Sequence, residues 1–393
     1  MKQKCDVLII GGGIVGASIA YYVSKTGLDV QVVEKKEIAA GTSSKCDGNI
    51  LAIDKDPGFD SLMSTESQKL VSDLSKTLPE KFEYRNPGSI LVCETEEEMK
   101  AAQQWVDQQK QHNLPFRMLD KEDLRNESKY FADDLLGGLE CASDATVNPY
   151  LFTYALMNGA TSQGAFLSTH TTVTSIKKVN DAYQVETDKG TIKTKRIVNA
   201  AGIWAPHITH LLDENINVPI EPRKGHILVA SRDRPIGNRK VMEFGYLLSK
   251  FGGERQVDSE LKKYGVALVF EPTESQNFLL GSSREFASMD SSVNYQVVKA
   301  IARRATRFYP ILKDMLMIRS YAGHRPWTPD HLPIVSEVSG YSGFYVAAGH
   351  EGDGISLAAI TGKLIQELIQ GVKSSVPLEP LSIERFQKES VKG

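Results

Sequence analysis

The sequence is poor in cysteine and has no strong excess of charge. Its 393 residues contain four cysteines, at positions 5, 46, 93 and 141, and no two of them form a C-x-x-C motif. This spacing indicates neither a zinc site nor a disulfide framework, so a reducing cytoplasm is the expected setting. The formal net charge is −3. That balance does not favour a nucleic-acid partner, because such partners select basic surfaces.

The sequence also lacks an unbroken apolar run long enough to cross a bilayer. Residues 7–23 follow a short basic N-terminus, but glycines interrupt them at positions 11, 12, 13 and 16. The run is short for a membrane span and has no small-residue cleavage site of a signal peptide. A strand, a glycine turn and a buried helix explain it better than a targeting segment.

Glycine occurs in a defined pattern near the N-terminus. The apolar run 5–10 predicts a buried strand, and Gly11-Gly12-Gly13-Ile14-Val15-Gly16 follows it as G-x-G-x-x-G. Residues 17–25 predict a helix that ends at Gly27, and residues 30–33 predict a second strand with Glu34 at its end. This arrangement is typical of a dinucleotide-binding βαβ unit.

Each part of this unit has a physical task. Gly11 permits the tight turn, Gly13 lets the backbone approach a pyrophosphate, and Gly16 lets the helix pack closely on the strand. The helix N-terminus offers unpaired N–H groups and a positive dipole end to phosphates. Glu34 can accept hydrogen bonds from ribose hydroxyls, and an acid there argues against the 2′-phosphate of NADP. The motif alone leaves FAD and NAD open.

A second glycine-rich junction lies more than three hundred residues later. Residues 343–348 predict a strand that opens into Gly349-His350-Glu351-Gly352-Asp353-Gly354, and an amphipathic helix follows. Residues 194–204 form a further predicted strand that runs into small residues. Junctions so far apart in the chain suit a long ligand lying across the domain, which favours FAD over a nicotinamide cofactor.

These residues carry a family resemblance that covers essentially the whole chain. The chain resembles the D-amino acid oxidase group of FAD enzymes, which includes glycine oxidase and sarcosine oxidase. The matching segments are the N-terminal motif, residues 42–44, 147–149, 199–204 and 325–330, and residues 349–362. Residues 45–48, 281–286 and 350–355 further resemble the flavin subunits of D-hydroxyproline dehydrogenase, opine oxidases and hydrogen cyanide synthase.

The resemblance implies an α/β fold with two domains. A discontinuous Rossmann-like FAD-binding domain is expected from residues 1–77, 138–219 and 320–393. An α+β substrate domain with a mostly antiparallel sheet is expected from residues 78–137 and 220–319. The alternating apolar pattern of residues 264–280 fits paired strands of that sheet.

The resemblance also implies where the ligands bind. The arginine of its Arg-Pro motif, Arg325, is expected to hold the substrate carboxylate through a two-point pair. Tyr246 is a second candidate for the substrate pocket. The residues expected to bind FAD are Gly11, Gly13, Ile14, Val15, Gly16, Glu34, Lys35, Thr42, Ser43, Ser44, Gly48, Asn49, Val173, Ala200, Gly202, Gly349, Gly352, Asp353, Gly354 and Ile355.

A helix beginning near Ile355 is expected to direct its positive end toward the flavin ring, where negative charge develops on reduction. An Asp353 carboxylate aimed at the ring would oppose this effect, so that side chain is expected to point elsewhere. Cys46 is interpreted as a small buried thiol. Because no cysteine follows position 141, FAD is expected to be non-covalent.

Two positions depart from the sarcosine oxidases. Leu279 and Ser356 stand where those enzymes carry a lysine that activates oxygen and a lysine that binds the carboxylate. Losing a fixed cation beside the flavin favours a dehydrogenase with a protein or quinone acceptor over an oxidase that uses O₂. Iron–sulfur or second flavin subunits are possible partners, as for the proteins that the chain resembles.

The expected reaction is hydride transfer from a small amino or imino acid to flavin N5, which gives an imine. The D-proline, hydroxyproline, sarcosine, glycine and opine types are the candidate substrates. Three alternatives stay open: oxidation of a 2-hydroxy acid or of glycerol 3-phosphate, an NAD-dependent dehydrogenase, and an electron-relay subunit that is inactive without partners.

Overall fold

Two large β-sheets, each covered by helices, organise the protein. The computed structural model describes residues 2–110, 114–231, 233–250 and 257–387. The described strands are β1 (Lys4–Ile10), β2 (Val30–Val33), β3 (Asn49–Ile50), β4 (Ser89–Cys93), β5 (Phe116–Leu119), β6 (Gly137–Cys141), β7 (Ala145–Thr146), β8 (Phe166–Ser168), β9 (Val173–Val179), β10 (Ala182–Thr187), β11 (Gly190–Asn199), β12 (Glu221–Ser231), β13 (Lys240–Glu243), β14 (Val269–Pro272), β15 (Asn277–Gly281), β16 (Glu285–Phe286), β17 (Met317–Trp327), β18 (Ile334–Glu337) and β19 (Phe344–Ala348). The described helices are α1 (Ile14–Ser24), α2 (Phe59–Thr77), α3 (Glu96–Lys110), α4 (Lys121–Glu127), α5 (Pro149–Ser162), α6 (Ala205–His210), α7 (Gly245–Lys250), α8 (Ser259–Lys263), α9 (Tyr295–Phe308) and α10 (Ala358–Gln370).

The first sheet has a parallel centre in the order β19-β11-β1-β2-β8. Strands β2 and β19 are short, buried and mostly apolar, as expected for a parallel sheet that helices cover. Helices α1, α5 and α10 share one apolar core with this sheet. A Cβ on Gly362 of α10 would lie 2.3 Å from Ser18 Oγ of α1, so glycine allows these two helices to touch.

The second sheet is almost entirely antiparallel, in the order β16-β12-β15-β14-β13-β4-β6-β5, with β17 also paired to β12. Among the described strands of this second sheet, only the β4–β13 pair is parallel. The amphipathic helix α9 buries its apolar side against this sheet. The prediction of an α/β fold with a mostly antiparallel second sheet is therefore confirmed, including paired strands within residues 264–280.

Two predicted boundaries differ from the sheet topology. Strands β6 and β17 belong to the second sheet, although residues 138–141 and 320–327 were assigned to the FAD-binding domain. The chain therefore leaves the second sheet at about residues 142 and 328. The predicted boundaries at residues 138 and 320 therefore fall inside these two strands.

Candidate functional site

The glycine turn after β1 is built by close backbone packing. Gly11 has a φ of +118°, and a Cβ there would lie 2.5 Å from the carbonyl oxygen of Ala200. A Cβ on Gly16 would lie 2.0 Å from Gly11 O, so only glycine lets α1 approach the turn. At Gly13 a Cβ would meet only Ser43 Oγ, at 3.2 Å, and Gly13 itself, as the N-cap residue, makes no side-chain cap. The first turn of α1 thus fits a phosphate group.

Glu34 lies beside this turn, at the end of β2. Its Oε2 accepts a hydrogen bond from Gly12 N (2.7 Å) and its Oε1 accepts one from Lys36 N (2.8 Å). A carboxylate has about four lone-pair sites, so it keeps acceptor capacity for ribose hydroxyls. The Glu34 carbonyl accepts from Thr171 N (2.8 Å), which brings the start of β9 at Val173 to the same edge.

Lys35 and Gly202 are brought together at the same edge of the first sheet. The ammonium of Lys35 lies 3.4 Å from the centre of the Trp204 ring, two residues beyond Gly202. Burial lowers the pKa of Lys35. Ala200, directly after β11, packs against Gly11, so it lies beside the glycine turn.

The loop of residues 42–49 connects the glycine turn with the second sheet. Ser43 Oγ accepts from Ile14 N (3.0 Å), while Thr42 Oγ1 donates to His324 O on β17 (2.6 Å). Gly48 packs on Val147, where a Cβ would lie 1.8 Å from the carbonyl oxygen, and its amide donates to Glu271 (3.0 and 3.2 Å). Ser44 is exposed and donates only a long hydrogen bond, to Gly41 O (3.4 Å).

The C-terminal glycine junction lies beside Arg325. A Cβ on Gly352 would be 3.7 Å from Arg325 Nε. The Asp353 carboxylate accepts a hydrogen bond from the buried ammonium of Lys55 (2.5 Å), which also contacts Asp54 (2.6 Å). This ion pair neutralises the negative charge of Asp353, whose side chain was expected to point away from the flavin ring.

The helix that follows the junction begins later than predicted. Helix α10 starts at Ala358, three residues after the predicted start at Ile355. A 3₁₀ turn at Glu351–Asp353 and further turns occupy the intervening residues. Gly352, which lies beside Arg325, therefore belongs to these turns and not to the first turn of the helix.

Arg325 lies half-buried on β17, directly opposite Arg223 of β12. Its guanidinium crosses Gly225, where a Cβ would lie 2.3 Å from Nη1, and donates from Nη1 to Ser283 O (2.9 Å). Glycine at position 225 is therefore required for this side-chain path. Burial, and then the positive charge of Arg284, lower the pKa of Arg325.

Tyr246 belongs to the same cluster. It lies on α7, half-buried, with the Arg284 guanidinium carbon 4.2 Å from its ring centre. Because Arg325 bonds to Ser283 and Tyr246 stacks on Arg284, adjacent residues connect the two predicted substrate-site side chains. His226 is fully buried, and both ring nitrogens have partners, Ser283 Oγ (3.0 Å) and Asn294 N (3.1 Å).

Several charged residues of the site were not predicted from the sequence. Lys240 is fully buried between Asp47 (2.7 Å) and Glu271 (2.8 Å) and also contacts Asn49. Although burial opposes its charge, the two carboxylates raise the pKa of Lys240 above its ordinary value. These partners are up to 193 residues apart in sequence, and only the fold brings them together.

A second such group connects β12 to the C-terminal junction. Arg223 forms a salt bridge with Glu351, whose other oxygen lies 2.8 Å from His331 Nδ1. Glu351 has a φ of +46°, unusual for a residue with a side chain.

Arg284 had one signal in the sequence, because it stands inside the 281–286 segment that carries the narrower resemblance.

A cavity of about 410 Å³ lies between the loop of residues 42–49 and the second sheet. Ser43, Cys46, Glu271, Leu279 and Tyr321 are among its lining residues. Cys46 is half-buried, and this burial raises the pKa of its thiol, which keeps the thiol protonated and disfavours a redox role.

Within the part of the chain that the structure describes, no helix is long and apolar enough to cross a membrane. The same residues contain no group of three or more His, Cys, Asp or Glu side chains placed to hold a metal ion.

Comparison with known proteins gives the family. The model of the DAO family, described as FAD dependent oxidoreductase, matches residues 6–368. The hydrogen cyanide synthase subunit HcnC of Pseudomonas aeruginosa is 27% identical, over 99% of this chain and 98% of its own length. The glycine oxidase of Geobacillus kaustophilus is 26% identical, over 98% of each chain. The solved L-proline dehydrogenase of P. horikoshii superimposes with a TM-score of 0.89 at 25% identity, over 99% of each chain. The protein therefore belongs to the DAO family and is an FAD-dependent oxidoreductase.

Proposed function

We propose that this enzyme oxidises the C–N bond of a small amino or imino acid to an imine. The D-proline, hydroxyproline, sarcosine, glycine and opine types are the candidate substrates. The observation that carries the proposal is the half-buried Arg325 guanidinium, which has no carboxylate partner among the described residues. A planar guanidinium binds a carboxylate through two parallel hydrogen bonds, and this pair would fix the α-carbon in one place.

Residues of this chain supply binding and orientation. Arg325 would hold the carboxylate, and the Tyr246 ring holds the neighbouring Arg284 guanidinium in place. Bound FAD would supply the acceptor for the hydride of the α-carbon, and water would then hydrolyse the imine product unless that product cyclises. A neutral amine needs no protein base for this step, so positioning contributes most of the rate.

The residues around the glycine turn support non-covalent FAD. Gly13 and the first turn of α1 would hold the pyrophosphate, and Glu34 would bind the ribose. No cysteine follows position 141 in the sequence, so the Arg-Pro segment itself offers none for a covalent bond. Leu279 in place of a lysine supports a protein or quinone electron acceptor, with iron–sulfur or second flavin subunits as possible partners.

The test is anaerobic bleaching of the flavin absorbance. D-proline, cis-4-hydroxy-D-proline, sarcosine, glycine, D-alanine and an opine are added in turn to the FAD-loaded protein. We expect at least one amine to bleach the flavin, and readmitted air then shows whether O₂ accepts the electrons. Bleaching by a 2-hydroxy acid or glycerol 3-phosphate alone, with every amine silent, would contradict the proposal.

Arg325→Lys tests the carboxylate contact in the same assay. The variant keeps the positive charge but loses the two-point geometry, so we expect the substrate concentration for half-maximal bleaching to rise about 10- to 100-fold, as for loss of a charged hydrogen bond. Arg125→Gln, which removes an exposed arginine of α4, is the matched control. An unchanged half-maximal concentration with full FAD content would exclude Arg325 as the carboxylate-binding residue.

A further inference from the structure

Three arginines converge at one end of the second sheet. Arg223 of β12 and Arg325 of β17 face each other in the antiparallel ladder, and Arg284 immediately precedes β16 on the other side of β12. Like charges directly opposite in a ladder destabilise it. Burial and the charges of Arg284 and Arg325 lower the pKa of Arg223. A negatively charged group bound within this cluster would stabilise it, because it would offset the repulsion between the guanidiniums.

The acids in the neighbourhood are already engaged. Glu351 pairs with Arg223, and Asp47 and Glu271 pair with Lys240. Lys224 follows Arg223 on β12. Its ammonium lies 2.8 Å from a carboxylate oxygen of Asp290 and 3.8 Å from one of Glu285. Among the described residues, these pairs leave Arg325 and Arg284 without an acidic partner, so the cluster has two guanidiniums to offer to a ligand.

Arg284 has a hydrogen-bonding group that the protein does not satisfy. Its Nη1 is buried and has no hydrogen-bond partner in the described structure. The Tyr246 ring, 4.2 Å from the guanidinium carbon, holds the group in place without using its N–H donors. Buried charged donors are rarely left unpaired in native proteins, so an unpaired one marks a place for a ligand.

Arg325 and Arg284 lie close together on the second sheet. Arg325 extends over Gly225 and reaches the carbonyl of Ser283, the residue before Arg284. A small molecule bound to Arg325 through one carboxylate therefore has Arg284 within reach of its other end. A monocarboxylic amino acid would leave the Arg284 donor unsatisfied.

We infer that the substrate carries a second carboxylate, which Arg284 binds while Arg325 holds the first. The inference rests on the proposed function and narrows it to amino or imino dicarboxylic acids. Arg284 is then the residue that selects this class, through a charged hydrogen bond that monocarboxylic substrates do not make.

Binding without turnover gives the most direct test. The FAD-loaded protein is titrated in a calorimeter with malonate, succinate and glutarate, and with the monomethyl ester of each. The difference in affinity between diacid and ester measures how much the second carboxylate contributes to binding. We expect at least one diacid to bind about 10- to 100-fold more tightly than its half-ester, since a charged hydrogen bond has that worth. In Arg284→Gln this ratio is expected to fall to about one, while Arg125→Gln keeps it.

Two outcomes of the titration would overturn the inference. One is a ratio below about two for every diacid in the wild-type protein. The other is a ratio that Arg284→Gln leaves unchanged. Flavin absorbance reports whether the variant is folded, and Arg284→Lys, which retains the charge, is expected to recover part of the ratio. If glycerol 3-phosphate and inorganic phosphate show the Arg284-dependent gain and the diacids do not, the second group is a phosphate and the dicarboxylate inference is wrong.

Turnover separates this inference from the proposed function. Iminodiacetate is sarcosine with one added carboxylate, so the two form a matched pair for anaerobic bleaching. We expect iminodiacetate to bleach the flavin at a concentration at least 10-fold lower. Bleaching by sarcosine with no advantage for iminodiacetate would overturn the inference and leave the proposed function intact. If no amine of either class bleaches the flavin, the proposed function fails, while the titration still decides whether Arg284 binds a second acid.

Discussion

At the scale of single residues, Lys240 shows how a buried charge positions the site. Its ammonium is fully buried and contacts Asp47, Asn49 and Glu271. Glu271 in turn accepts the amide hydrogen of Gly48, so Lys240 ties the loop of residues 42–49 to β13 and β14. Because its charge is matched by two carboxylates, Lys240 acts as a support for this loop and does not replace the lysine absent at Leu279.

Lys240→Met is expected to lower the free energy of unfolding by about 3–5 kcal/mol, because two carboxylates would then lie buried without a cation. Chemical denaturation measures the change. Lys69→Met, which removes an exposed lysine paired with Glu66 on α2, is the control and is expected to change stability by less than about 1 kcal/mol. A loss below about 1 kcal/mol in Lys240→Met would show that the network contributes little to stability.

At the scale of secondary-structure elements, Asp144 joins three parts of the chain. Its buried carboxylate accepts hydrogen bonds from Ala52 N (2.6 Å) and Ile53 N (3.2 Å) after β3, from Gln68 of α2 (2.8 Å) and from Ser89 of β4 (2.5 Å). This contact fixes the segment after the loop of residues 42–49 against both α2 and the second sheet.

Asp144→Asn tests the joint between these elements. An asparagine places an NH₂ group against donors that need an acceptor, so we expect a loss of about 2–4 kcal/mol in the free energy of unfolding. Asp181→Asn, an exposed position in the β9–β10 turn, is the matched control. Equal stability of the two variants in urea denaturation would contradict this account of Asp144.

At the scale of the whole molecule, three buried groups give stability a defined pH dependence. Burial lowers the pKa of His226 and of His350 to about 4 and raises that of Asp144 to about 6. Below pH 6.5 the unfolded chain binds more protons at the two histidines, so their effect is a loss of stability as pH falls toward 4. Asp144 acts in the opposite sense between pH 6 and 4, because its folded form holds the proton more tightly.

His350→Gln is expected to remove about 2–3 kcal/mol of the stability difference between pH 7 and pH 4.5, the amount that corresponds to its lowered pKa. Glutamine retains a polar group for the contact with Thr361 (2.9 Å) but does not titrate. Denaturation curves at the two pH values measure the difference, with the exposed His207→Gln as the control. An identical pH dependence in wild type and His350→Gln would mean that His350 titrates alike in both states.

Local sequence was sufficient wherever neighbouring residues carry the signal. The strand, glycine turn and helix of residues 4–24 were predictable because steric demands at Gly11 and Gly16 act within a few residues. The cofactor class followed from glycine junctions and an acid at a set spacing, and family membership confirmed FAD. Arg325 was identifiable by its Arg-Pro motif, although its role as a carboxylate ligand stays a prediction.

The tertiary structure decided what depends on residues far apart in the chain. The chain leaves the second sheet only after β6 and β17, because strand pairing, not local composition, assigns a strand to a sheet. The start of α10 moved to Ala358 because turns complete the junction beside Arg325. The Lys240 network and the arginine cluster unite segments up to 193 residues apart, and burial gives their charges their importance. No periodicity in a sequence encodes such contacts, because each charged residue finds its partner only when both sheets are in place.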